Sequence, residues 1–157
     1  MRLQSWIVDH CDRTFRKGNW AGPGVLPALR GVPLAVAHRR PHPQQHTIAE
    51  IALHMAYWKD AVAAVLRGQP WSFDKTLNWR AVPSTKRGWT STRTALRKAH
   101  TRLLSSLRRV PPARLLRPLT PQSSRKAIDL AIDIATHDSY HVAQIFVLRR
   151  LSKARTK

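Results

Sequence analysis

Apolar residues recur along this chain at three- and four-residue intervals in four long stretches, separated by segments rich in proline and glycine. That period is the mark of amphipathic α-helices. The first stretch, about residues 2–16, sets Leu3, Trp6, Ile7, Cys11, Thr14 and Phe15 on one side and stops at Gly18-Asn19. The second opens on Thr47-Ile48-Ala49-Glu50, the spacing at which a threonine and a glutamate satisfy each other's backbone amides, and runs to about Leu66 before Gly68 and Pro70. The third covers about Thr92 to Val110, with Leu96, His100, Leu103, Leu107 and Val110 in register, and ends at Pro111-Pro112. The fourth starts shortly after Pro121 and reaches about Leu151. No strand pattern, internal repeat or low-complexity linker stands between them. The pattern predicts an all-α fold, a four-helix bundle with a long connection between its first two helices.

That connection is about thirty residues long, a length that is usually functional or contains elements of its own. Val25 to Arg30 and Leu34 to Ala37 each fit a helical turn, and Pro41-His42-Pro43 makes a stiff approach to the second helix. Trp71, Trp79 and Trp89 are expected to pack across the open end or edges of the bundle. A chain of 157 residues with 43% hydrophobic content is expected to form one domain, residues 1–157, with a basic tail over about 152–157.

Charge changes the picture. Lysine and arginine number 28 against 8 acidic residues, a formal charge of +20, which attracts polyanions and makes copies repel. The basic side chains are scattered over the third helix (Arg93, Arg97, Lys98, Arg102, Arg108, Arg109), the loop after it (Arg114, Arg117) and the tail (Arg149, Arg150, Lys153, Arg155, Lys157). No zinc-finger spacing, base-stacking aromatic strand or helix-turn-helix stands among them, so a solvated basic surface is the simpler reading and nonspecific nucleic-acid binding the alternative. No apolar run approaches the roughly 18 residues that cross a bilayer, and Asp9 and His10 interrupt the N-terminus, so neither a signal peptide nor membrane association is expected. The single Cys11 lies on the apolar side of the first helix and reads as a buried, inert thiol; the cytoplasm is the expected compartment.

The candidate chemistry is histidine. In the fourth helix the seam Leu130, Ile134, His137, His141, Gln144, Leu148, Leu151 carries two imidazoles four residues apart on one face. In the second, His54 falls between Ile51 and Trp58, with Ala61 and Val65 beyond. Burying imidazoles without partners costs free energy, and bundles build metal sites from inward side chains of facing helices. His54, His137 and His141 would supply three nitrogens and leave an open position. Three neutral ligands leave the ion's charge uncompensated, so it can acidify water to a pKa of about 7 or hold a thiolate. A zincin would need His-Glu-x-x-His, but Asp138 follows His137; a di-iron bundle would need Glu-x-x-His pairs, which these helices lack. Each histidine taken singly also fits a hydrogen-bonded core residue, and the same seam test picks out His100.

The segments Thr-Ile-Ala-Glu-Ile-Ala-Leu-His54-Met-Ala-Tyr-Trp-Lys and His137-Asp-Ser-Tyr-His141-Val-Ala-Gln-Ile resemble the two signature helices of the DinB/YfiT-like superfamily, the damage-inducible four-helix family and not the polymerase sharing the name. The resemblance spans the chain in helix order and length. It implies a divalent ion, commonly nickel or zinc, held by one histidine of the second helix and two of the fourth. Relatives include bacillithiol and mycothiol S-transferases, a mycothiol-dependent maleylpyruvate isomerase, and proteins described as metal-dependent hydrolases with no known substrate; homodimers are common. In relatives the loop after the first helix often reads Trp-His-Gly-Pro-Ser, whereas this chain has Trp20-Ala21-Gly22-Pro23-Gly24. Whatever contacts that imidazole and hydroxyl make are not made here.

Around the three histidines, Gln144 is placed to bond a metal-bound water or a backbone carbonyl, and Asp133 to reach His137 by its spacing. Glu50 is placed to orient His54, though the capping box explains it more simply. Asp138 faces away from the ion and suits an interhelical or surface ion pair, and Tyr57 packs with a wet hydroxyl or donates a proton. The expected function is a metal-dependent enzyme in which the ion activates a thiol or water nucleophile, as in thiol S-transfer or hydrolysis. Thiol chemistry is preferred because no general base is well placed and a metal that binds thiolate needs none. A low-molecular-weight thiol cofactor and a small, anionic substrate suit the basic surface. The alternatives are a polyanion- or nucleic-acid-binding protein with structural histidines, and a family member that keeps its metal for stability alone.

Overall fold

The computed structural model describes residues 2–154. In chain order its elements are α1 (Leu3–Arg16), β1 (Gly18–Asn19), β2 (Gly22–Pro23), α2 (Val25–Leu29), α3 (Leu34–Ala37), α4 (Ile48–Leu66), α5 (Lys75–Asn78), α6 (Lys86–Arg109), a 3₁₀ turn at Pro112–Arg114, and α7 (Ala127–Ala154). The fold is all-α. The four long helices close a ring, with α1 against α7, α7 against α4, α4 against α6 and α6 back against α1.

Local chemistry sets the helix ends. Thr47 and Glu50 form the expected capping box, the hydroxyl accepting from Glu50 N at 3.1 Å and the carboxylate from Thr47 N at 2.9 Å. Helix α6 begins earlier than its apolar seam indicates, at Lys86, because the Thr85 hydroxyl caps it by accepting from Gly88 N at 3.0 Å. Its first turn lies against Pro83, where a Cβ on Gly88 would come within 2.4 Å of the Pro83 carbonyl oxygen. Helix α7 begins later than expected, at Ala127, where Asp129 accepts from the backbone amide of Lys126. The residues before it form a short return, with a bridge between Pro118 and Lys126. At its far end α7 continues to Ala154, so the basic tail is shorter than expected; Arg155 and Lys157 lie outside the described residues.

The expectation of no strands is corrected by the two-residue hairpin of β1 and β2, made possible by positive φ angles at Gly18 and Gly22. The turns at Val25 and Leu34 form as expected. The tryptophans divide: Trp89 is a core residue whose indole donates to the Val32 carbonyl, Trp71 is partly exposed, and Trp79 joins the histidine site. The seam of α7 ends at Leu148, since Leu151 is 43% exposed.

Two main apolar clusters fill the ring. One gathers Phe15, Ile48, Ile51, Met55, Leu96, Val142 and Ile145. The other gathers Ile7, Cys11, Ala63, Leu103, Leu107, Ala131 and Ile134. Along α7 the change from one to the other falls between Ala135 and Val142, the stretch that carries His137, Asp138 and His141. Among the described residues no helix is long and apolar enough to cross a membrane.

Candidate metal centre

His54 comes from α4, and His137 and His141 stand one turn apart on α7. Packing of α4 on α7 brings the three rings together. Nε2 of His137 lies 3.1 Å from Nε2 of His54 and 3.0 Å from Nε2 of His141. His54 and His141 are buried and His137 is half-buried.

The outer nitrogens decide where the inner lone pairs point. His54 Nδ1 donates to the carbonyl of Asn78 at 2.9 Å, and His141 Nδ1 donates to Oε1 of Gln144 at 2.7 Å. With the proton held on Nδ1, each Nε2 presents a lone pair inward. His137 Nδ1 is buried without a partner. One proton on His137 Nε2 satisfies a single neighbour and leaves a second lone pair opposed to it; a cation satisfies all three. Nitrogen ligands about 2.0–2.1 Å from a tetrahedral ion lie roughly 3.3 Å apart; the two separations to His137 are close to this, and all three nitrogens lie within 4.8 Å of one another.

Burial holds these groups in the ligating form. Desolvation pushes His137 down to about 3 and His141 down to about 4, and lowers His54. All three are neutral at pH 7.

Aromatic rings wall the cluster. Trp79 stacks on His54 with centroids 3.7 Å apart, and His46 stacks on the other face of Trp79 at 3.6 Å. Trp58 stands edge-on to both His54 and His137. Neither Asn78 nor Trp79 was singled out as a site residue from sequence, since both lie in the aperiodic segment around α5. Lys59 was not singled out either; of its buried ion pair only Asp138 was read from sequence, as facing away from the cluster.

The other expected neighbours sort as follows. Gln144 is at the site, where its Oε1 accepts from His141 Nδ1 and its amide NH2 is left over for a further acceptor. Asp133 does not reach His137; it is exposed and pairs with Arg125, whose reach from the segment before α7 competes with the intrahelical spacing. Glu50 is occupied by the capping box, Arg40 and the nearby His46, and does not orient His54. The Tyr57 hydroxyl accepts from Asp74 N, which ties it to the α5 cap. Asp138 does face away from the cluster, into the core.

A model of the DinB superfamily matches residues 20–145, a span that contains all three histidines and Gln144. The chain belongs to the DinB superfamily. Comparison with curated proteins and with solved structures finds no match. Membership and geometry agree: the three-histidine cluster of this DinB protein fits a divalent metal ion. The two positions at which the loop over residues 20–24 departs from the resembled pattern are Ala21, in the hairpin turn, and Gly24, the N-cap of α2. Ala21 is exposed, and a Cβ on Gly24 would lie 2.5 Å from the Thr14 carbonyl oxygen, so a serine does not fit this backbone.

Proposed function

We propose that this protein is a metal-dependent enzyme of thiol S-transferase or hydrolase type, with His54, His137 and His141 as ligands of nickel or zinc. The convergence of three Nε2 atoms, two with their lone pairs aimed inward by outer hydrogen bonds, carries the reading. A bound ion supplies Lewis-acid activation of a thiol or water nucleophile. The chain's own groups do the rest: Asn78 and Gln144 fix the tautomers, Trp79 fixes the plane of His54, and the aromatic walls exclude water from one side. The one carboxylate beside the ligands in sequence, Asp138, is engaged with Lys59, which favours a low-molecular-weight thiol as cofactor over base-assisted hydrolysis.

The same proposal takes a small-molecule substrate and a cytoplasmic homodimer. The outer face of α7 supports the dimer, since Ile132, Tyr140, Val147 and Leu151 stand exposed along it at helical spacing. The deciding experiment is elemental analysis of protein purified without a nickel column. Near-stoichiometric metal in wild type and its loss in His137→Ala are expected; metal-free wild type overturns the proposal. Turnover assays with thiols and esters on the loaded protein then separate transferase from hydrolase, and an absence of any turnover leaves the ion a stabilising role only.

A further inference from the structure

Arg30, Arg93 and Arg97 line one cavity of about 240 Å3, floored by Leu26, Leu29 and Leu96. Arg30 follows the end of α2, and Arg93 and Arg97 stand one turn apart on α6. No carboxylate lines the cavity, and among the described residues none of these arginines belongs to an ion pair. Three like charges at one opening repel each other, an arrangement that self-association of the chain does not relieve.

Arg93 is pre-oriented. Its guanidinium sits over the ring of Trp89, 5.2 Å from the centroid, and that indole is itself held by its hydrogen bond to Val32. Use of the flat face leaves the N–H edge free. Nε of Arg93 is buried and has no hydrogen-bond partner, an unfavourable state that an acceptor oxygen would relieve.

We propose that this cavity is a binding site for a phosphate-class oxyanion, either the free ion or the phosphate of a small monoester. Three guanidinium groups favour a dianion over a carboxylate, and their planar forks match its oxygens two at a time. The leucine floor suits the short aliphatic stem of an ester. A nucleic-acid backbone is the poorer fit: it meets the exposed Arg30 and Arg97 at the surface, whereas a small anion enters the cavity and meets half-buried Arg93 as well. The cavity shares no lining residue with the histidine cluster, and the inference stands whether or not that cluster holds metal.

The test is calorimetric titration of the full chain with inorganic phosphate, at ionic strength held constant with chloride. Saturable one-to-one binding is expected, with a rise in melting temperature that follows phosphate concentration. Arg93→Met, which keeps the aliphatic stem against Trp89, should weaken binding by about tenfold or more. Arg30→Gln and Arg97→Gln, which leave the Arg93–Trp89 contact intact, should do the same and so guard against a folding defect in the first variant. Arg108→Gln/Arg109→Gln, at the other end of α6, should leave binding unchanged. Tighter binding of glycerol phosphate than of phosphate identifies an ester, and the reverse a free ion. Equal weakening by the control variant, an identical response to chloride, or oligonucleotide binding indifferent to Arg93→Met where phosphate does not bind, overturns the site.

Discussion

Lys59 Nζ lies 2.6 Å from Oδ2 of Asp138, and the two side chains are only 1% and 2% exposed. The pair ties α4 to α7 one residue from His137 and five from His54. Burial pushes the Asp138 carboxyl up, and the Lys59 ammonium pulls it back down. Removing one partner strands the other charge. Lys59→Met is expected to destabilise the protein by about 3–5 kcal/mol in urea unfolding, and Lys59→Met/Asp138→Leu to recover much of that loss. A double variant no more stable than the single one would show that the pair does more than compensate itself.

Trp79 and Gln144 touch two of the three clustered histidines, His54 and His141. Groups in that position typically change metal affinity about 10–100-fold. Trp79→Leu and Gln144→Leu are both expected to weaken nickel binding within that range in competition with a chromophoric chelator. Trp79 should also contribute most of the fluorescence quenching that accompanies nickel addition, because its ring lies against His54. Unchanged affinity in both variants would mean that ligand orientation is set by the helices alone.

An ion bound between α4 and α7 would couple binding to folding. Chelator treatment is expected to lower the melting temperature of the metal-loaded wild type and to leave His54→Ala unmoved. A shift of equal size in both would place the stabilising ion elsewhere.

His100 offers a pH test away from the cluster. Its Nε2 donates to Asp12 at 3.0 Å and its ring stacks on Phe15. Burial, helped by the Lys59 charge, pushes it down to about 3. The unfolded chain takes up a proton at this residue below about pH 6.5, which the folded chain refuses until about 3. The stability that follows from neutral His100 is complete above pH 6.5 and is lost as pH falls towards 3. The difference in unfolding free energy between wild type and His100→Phe should therefore shrink between pH 8 and 4.5, and a flat difference would rule out the shift.

Gly24→Ser restores the residue usual in the family. The added Cβ meets the Thr14 carbonyl, and overpacking of this kind costs about 1–3 kcal/mol. Thermal unfolding should register the loss. A neutral substitution would show that the hairpin moves aside easily.

The three histidines were legible because each interrupts an apolar seam of regular period, and a spacing of four on one helix needs no knowledge of tertiary structure. The helix bodies were legible for the same reason. What surrounds the histidines was not. Asn78 lies 24 residues from His54 through a segment without periodicity, and only the closed fold shows that its carbonyl meets the ring. Asp133 misled because a helical spacing gives a possible contact but says nothing of Arg125 arriving from outside the helix. The start of α6 was hidden by Gly88, a weak helix former whose value is its closeness to Pro83. Arg30 and Arg93 are 63 positions apart, and among so many basic residues nothing in their order distinguished them.

The histidine layer falls where one apolar cluster gives way to the other along α7. The interior is therefore partitioned, with a polar diaphragm between two apolar compartments. Substitutions bordering one compartment can then be absorbed while packing in the other keeps the chain folded.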